Sequence, residues 1–302
     1  MTDEPLEIDY PPVEELAEFS RRHQVPLPDV LRDIARLVML HQLATTKNYL
    51  GDDCVVCGGM AMRLYGSHRY TRYDTDLSYR LDDWDEETLQ SALTITVEDL
   101  TIRAPDMEAW QRKNALTIAQ PVEFRESFAQ AALTPDIAQF TVTVARRGLL
   151  RQATPLPLVH PYRPMGIEGV DIPAMNLTEQ TAEKIIAWCA NGLAKHYLDV
   201  AWLFRKKAAK IDVDDLRILL DKKLGLAYDR EPSNYERLRT IDHLFRGLYS
   251  GDAYKAPQNP EGKRKASSIR YIGQGIDMGA ARTIIRQEAI PRIWPGKSGS
   301  TR

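Results

Sequence analysis

Apolar residues recur at helical intervals through the first fifty positions. Val13, Leu16 and Phe19 mark one helix, and Val30, Leu31, Ile34, Leu37 and Val38 mark a second between Asp29 and Leu43. Pro26 and Pro28 separate the two. The pattern changes at Gly51. Cys54-Val55-Val56-Cys57 predicts a short buried strand that stops at Gly58-Gly59, and Met60 to Tyr65 predicts a helix ended by Gly66. Asp74 to Arg80 follows as a second strand. Alternation predicts further strands at Leu93 to Ile102 and at Gln139 to Ala145, with a helix around Met107 to Leu116 between them. Five prolines between Gln152 and Asn176, with Gly166 and Gly169, argue against any regular element there and mark a lobe boundary. Beyond it, Asn176 with Glu179 three residues later predicts a capped helix start, continuing through Thr181 to Ala190 and stopping at Gly192. Lys195 to Lys207, Val213 to Lys223 and Ser233 to Leu248 follow as helices. The expected fold class is α+β: a lobe with a mixed sheet, N-terminal helices and the proline-rich connector over residues 1–175, then an α-helical lobe over 176–302.

Composition narrows the class of protein. With 302 residues the chain can bury a large core without disulfides, and its three cysteines are too few and odd in number for a disulfide framework. No apolar run approaches the roughly 18 residues of a membrane span, and the acidic start lacks the features of a signal peptide. A cytoplasmic protein with no membrane partner is expected. Forty basic against 42 acidic residues exclude a uniformly basic nucleic-acid coat. Charge is nonetheless uneven: from Ala253 onward there are ten Lys/Arg and three Asp/Glu. That tail reads either as a solvated, partly disordered segment or as an arm that follows a phosphate backbone, with Tyr271 and Trp294 available to stack on bases.

The chemistry concentrates between Val56 and Leu77. A strand that ends in Gly58-Gly59 and opens a helix lets phosphate oxygens approach bare backbone N–H groups. Asp74 and Asp76, two apart on a strand, present carboxylates to one face, and a divalent cation such as Mg²⁺ or Mn²⁺ relieves their repulsion. Asp-x-Asp alone is uninformative, since Asp83-Trp84-Asp85 and Asp212-Val213-Asp214 share it and read as turn or helix-cap acids. Cys54 and Cys57 point to opposite faces of their strand and read as buried residues rather than a zinc half-site. His68 and His160 read as loop or surface histidines, and Gly296-Lys297-Ser298 lacks the upstream glycine of a phosphate loop.

The stretch Val56-Cys57-Gly58-Gly59-Met60-Ala61-Met62-Arg63, the Arg/Thr-rich approach to Asp74-Thr75-Asp76, and the later Glu183-Lys184 and Asp199 helices together resemble the nucleotidyltransferase superfamily of the DNA polymerase β-like fold. Within it they resemble the AbiEii/AbiGii-type toxins of bacterial toxin–antitoxin systems, whose relatives include the mycobacterial MenT toxins. The resemblance spans most of residues 20 to 205. It implies a nucleoside triphosphate held at Gly58, Gly59, Met60 and Lys184, a metal ion on Asp74 and Asp76, and catalytic roles for Asp74, Asp76, Lys184 and Asp199. It further implies transfer of a nucleoside monophosphate to an RNA hydroxyl, with the tRNA 3′ end the best candidate, and a cognate antitoxin protein. Arg69, Arg72, Lys263, Arg264 and Lys265 are the candidate RNA contacts. Three positions depart from the family pattern. Met60 stands where a Ser or Thr often follows the glycines, and His196 where many relatives have Asp. The neighbouring strand offers Thr141 and Thr143, with Asp136 outside it, instead of a further carboxylate. A single ion held by the two aspartates is therefore expected. Two other readings fit the same residues: a small-molecule nucleotidyltransferase of the antibiotic-modifying kind, and a nucleotide-binding protein with weak catalysis. Outside the resemblance, Lys184 reads as an exposed helix residue, and Lys195 with Asp199 as a surface pair four residues apart.

Overall fold

The computed structural model describes residues 7–47, 49–67, 69–70, 74–79, 86–97, 100–103, 117–126, 139–145, 148–230, 240–251, 270–271 and 276–295. The chain divides into two compact units, Met1–Met175 and Asn176–Arg302.

In the first unit, helices α1 (Val13–His23) and α2 (Leu27–Ala44) precede strand β1 (Cys54–Cys57) and helix α3 (Gly58–Leu64). β2 (Arg69–Tyr70), β3 (Asp74–Tyr79), α4 (Glu86–Leu93), β4 (Ile95–Val97), β5 (Leu100–Arg103), β6 (Thr117–Glu126), β7 (Gln139–Ala145), β8 (Thr154–Pro157) and β9 (Asp171–Ala174) follow. Eight of the strands form one mixed sheet in the order β4-β5-β6-β7-β3-β1-β9-β8. β3 lies between β1, antiparallel, and β7, parallel, so both aspartates sit at the centre of the sheet. The core beneath them is apolar: Val55, Val56, Leu77, Val142 and Val144 are at most 1% exposed.

Three expectations change here. Leu93 to Ile102 is not one strand. Leu93 closes α4, and β4 and β5 form an antiparallel pair that reverses between Val97 and Leu100, as the buried–exposed–buried pattern of Ile95, Thr96 and Val97 requires of a short hairpin arm. β6 was not expected, because Pro121 interrupts its run, yet it pairs on both sides, with β5 and β7. The proline-rich connector also contains structure. β8 is the last strand of the sheet, and its even-numbered residues bond to β9, as the Leu158 N–H does to Val170 O at 2.9 Å. Pro155 and Pro157 fall on the outward row, where no backbone donor is needed. The expected helix at Met107 to Leu116 lies outside the described residues.

A polar knot ties α2 to α3. The fully buried Asp33 accepts hydrogen bonds from Arg63 of α3, from Arg36 at 3.3 Å and from the Tyr162 hydroxyl at 2.8 Å. Tyr162 stacks on His160, whose ring nitrogen meets Glu168 at 2.5 Å, so His160 is a packed residue rather than a surface one. Burial alone would raise the Asp33 pKa. The Arg63 and Arg36 charges and the hydrogen bonds from Arg63 and Tyr162 outweigh that and hold it below the ordinary carboxylate value. The sign follows: this stabilisation is complete above the unfolded carboxylate pKa and disappears as pH falls through the lower folded one. Asp33→Asn should therefore flatten the acid limb of a stability–pH curve and, near neutrality, destabilise by about 3–5 kcal/mol, as breaking a buried ion pair does. Urea melts at a series of pH values check both effects.

The second unit is helical among the described residues, apart from β10 (Arg270–Tyr271). It comprises α5 (Leu177–Asn191), α6 (Ala194–Lys207), α7 (Val213–Arg230), α8 (Ile241–Ser250), and a C-terminal stretch of α9 (Met278–Ile284), a π-helical turn (Ile285–Ala289) and α10 (Ile290–Ile293). The α5 signals act as expected at both ends. Asn176 Oδ1 accepts from the Thr178 and Glu179 N–H groups, and Gly192 closes the helix at φ 67°. Asp212 caps α7 by accepting from Asp214 and Asp215 N–H, which disposes of that Asp-x-Asp as a metal site. Residues 278–293 are not a free arm. Ala281, Ile285, Ala289, Ile290 and Ile293 are buried, and Trp294 packs on Phe245, so its ring is engaged within the fold.

Candidate active site

The geometry of the glycine turn is set by two neighbours in register. Cys57 pairs with Asp76 across β1 and β3, so the chain leaves β1 directly beside that carboxylate. Cys57 is extended, and Gly58 turns at φ +66°, a conformation that L side chains rarely adopt. A Cβ at Gly58 would lie 1.9 Å from Asp76 Oδ2 and 2.7 Å from its Cγ. The glycine is thus required twice, by its dihedral and by the carboxylate seated against it. Helix α3 begins at Gly58 itself, two residues earlier than the sequence pattern suggests, with Gly59 and Met60 buried.

Asp76 is partly exposed, whereas its strand neighbours Thr75 and Leu77 are fully buried. Asp74 occupies the strand position two residues before it. On β7, Thr141 stands in register with Asp74 and Thr143 with Asp76. The strand beside the aspartates therefore supplies hydroxyls where a third carboxylate would complete a two-ion site. Among the described residues, no group of three or more His, Cys, Asp or Glu side chains is arranged to hold a metal. A pair of hard carboxylate oxygens suits one Mg²⁺ or Mn²⁺ whose other positions are filled by phosphate and water.

In the second unit, Lys184 Nζ of α5 and Asp199 Oδ2 of α6 are 2.9 Å apart, with side chains 5% and 0% exposed. Neither is the solvated surface residue that helical spacing alone suggests, and Asp199 is joined to Lys184. The structure thus brings Gly58 to Asp76 and Lys184 to Asp199. The Arg69 position lies in β2, while Arg72, Lys263, Arg264 and Lys265 lie outside the described residues, as does His68. Cys54 and Cys57 are buried thiols outside any disulfide, and burial raises the Cys54 thiol far above its ordinary value. Cys189 is pushed up to about 12 by the same cause, so neither it nor Cys54 is a nucleophile near neutral pH. One feature of this unit escaped the sequence pattern. Lys223 of α7 reaches both Glu179 at 2.8 Å and Glu183 at 2.7 Å on α5. The only sequence signal is two like charges four apart on one helix, a mildly unfavourable pair that a cation between them relieves.

The first unit thus sets a Gly-Gly turn, at the centre of a mixed sheet, against the second aspartate of a strand-borne Asp-x-Asp. A family model for the nucleotidyl transferase AbiEii toxin of type IV toxin–antitoxin systems matches residues 43–260. Among solved structures, the nucleotidyltransferase toxin MenT4 of Mycobacterium tuberculosis aligns with a TM-score of 0.60 at 16% identity, over 94% of this chain and 89% of that one. Two Helicobacter pylori structures align more loosely. One, named for a nucleotidyltransferase, has a TM-score of 0.45 at 12% identity over 84% and 89% of the two chains. The other, JHP933, has 0.42 at 14% over 85% and 91%. No curated protein matches the chain. The chain belongs to the AbiEii family of nucleotidyltransferase toxins. Among the described residues, no helix is long and apolar enough to cross a membrane.

Proposed function

We propose that this nucleotidyltransferase transfers a nucleoside monophosphate from a nucleoside triphosphate to an RNA hydroxyl, with the tRNA 3′ acceptor end as substrate, and that a cognate antitoxin opposes it. The observation that carries the transferase site is the contact of the Gly58 turn with Asp76, which joins the phosphate-cradling backbone to a metal-binding carboxylate. The RNA acceptor is supported by membership of a toxin family.

In this reading the acceptor oxygen attacks the α-phosphorus, the α–β phosphoanhydride bond breaks, and pyrophosphate departs with the bonding electrons while the hydroxyl proton passes to solvent or a base. Backbone N–H groups of the glycine turn hold the phosphates. Asp74 and Asp76 hold the divalent ion, which neutralises triphosphate charge when bound. Lys184 offsets the charge that develops on pyrophosphate, and Asp199 fixes the direction of its ammonium. Lys184→Gln is then expected to lower kcat by roughly 10²–10³-fold. Asp199→Asn keeps the cation but loosens its hold, and should lower kcat by about tenfold. Steady-state kinetics on both variants check the order; a larger loss in Asp199→Asn would reverse the two roles.

The reading is tested by incubating the protein with each α-labelled nucleoside triphosphate, Mg²⁺ and total cellular RNA, and following label on a denaturing gel. Label on a tRNA-sized band is the expected result and names the base. If RNA stays unlabelled with all four nucleotides, the RNA acceptor is wrong; label on a small molecule instead would identify the acceptor class.

A further inference from the structure

Glu183 and Lys184 are adjacent on α5 but leave the helix about 100° apart, so they engage different neighbours. Lys184 turns to Asp199 of α6, and Glu183 turns to Lys223 of α7. Glu179, one turn earlier and fully buried, joins the same lysine. Two ionic clamps from two helices thus grip consecutive residues of α5.

A helix packed through apolar side chains alone can roll, because burial is non-directional. The α5 interface is apolar on several sides, with Ala182, Ile185, Trp188 and Cys189 all buried. A roll by a few degrees moves the end of a lysine side chain by more than its backbone. Interdigitated packing resists that motion in part, and directional contacts resist it further; Lys223 supplies two of them at hydrogen-bond distance. The two glutamates in turn raise the Lys223 pKa above its ordinary value against the opposing effect of burial, so the clamp stays charged. Neither glutamate nor Lys223 is needed for the proposed chemistry.

We propose that Lys223 is a positioning residue: by bridging Glu179 and Glu183 it fixes the rotation of α5 and thereby the direction in which Lys184 meets the leaving pyrophosphate. This rests on the role given above to Lys184. The test uses full-length protein carrying Lys223→Gln, Lys223→Arg, the double change Glu179→Gln/Glu183→Gln or Lys184→Gln, each first checked for a cooperative thermal melt. Transfer is then measured with nucleotides whose β,γ-bridging group varies in acidity, so that the leaving group varies while the α-phosphate does not. A cation held on the leaving group makes the rate insensitive to its acidity. Lys184→Gln should therefore steepen the dependence on leaving-group pKa, and Lys223→Gln should steepen it too while lowering kcat about tenfold. Lys223→Arg should restore most of both. Simple destabilisation would reduce the amount of active enzyme without changing that slope. If Lys223→Gln does not fold, the double variant Glu179→Gln/Glu183→Gln decides, since it removes both partners of the Lys223 ammonium: a steeper slope supports the clamp, and a wild-type slope overturns it. A folded Lys223→Gln protein with a wild-type slope, beside a steepened Lys184→Gln, overturns the proposal alone. An unchanged slope in Lys184→Gln removes the role of Lys184 and the proposal with it.

Discussion

Asp76→Asn is expected to reduce nucleotidyl transfer by roughly 10³-fold or more, the upper range for removing one preorganised electrostatic contact, while the protein stays folded. The amide has nearly the volume of the carboxylate, so the close packing against Gly58 survives. What is lost is the charge. Asp76 is partly exposed between the buried Thr75 and Leu77, and a buried apolar sheet centre gives no structural reason for a carboxylate there. Incorporation of α-labelled nucleotide, measured across a Mg²⁺ titration, should show a low rate that rising metal only partly restores. Transfer by the variant within a few-fold of wild type would overturn the proposed role of Asp76 as a metal ligand.

Gly58→Ala should be nearly as damaging by a different route. The new methyl group would occupy the space of the Asp76 carboxylate, with Oδ2 at 1.9 Å and Cβ at 2.8 Å, so either β3 or the turn must shift. An ångström of misplacement at a reacting site costs on the order of 10²-fold in rate. The positive φ adds about 1–2 kcal/mol of backbone strain to the cost of overpacking. Gly66→Ala is the control. It too has a positive φ, but no heavy atom lies within 4 Å of its Cβ position. It should lose about 1 kcal/mol of stability and keep its activity. Thermal melts and transfer rates on the two variants separate strain from collision; equal activity in both would mean that the Gly58 contact with Asp76 carries no function.

Much of this was legible from local pattern, for identifiable reasons. Apolar residues at helical spacing locate α1, α2, α5 and α6, and the Asn176 cap and Gly192 stop fix the ends of α5. The glycine turn and the Asp-x-Asp strand were legible as separate motifs. Their contact was not, because the Cys57–Asp76 register is a tertiary fact. Sheet edges and hairpins were read least well. Pro155, Pro157 and Pro121 suppress strand propensity locally, while pairing with neighbours overrides it. Lys184 and Asp199 were named through family likeness. Their burial and their pairing could not be derived from spacing, since the two residues lie on different helices whose packing is a tertiary fact.

The edge of the sheet has a consequence beyond accommodating prolines. An open sheet of eight strands exposes two rows of backbone groups on which another chain could crystallise a ninth strand, the usual route to fibrils and to exchange of strands between molecules. On β8 the outward row is stripped of its donors by Pro155 and Pro157, and at the other edge β4 spans only three residues. Among the described residues, neither margin offers a template long enough to recruit a partner strand: the sheet is terminated chemically on one side and by brevity on the other.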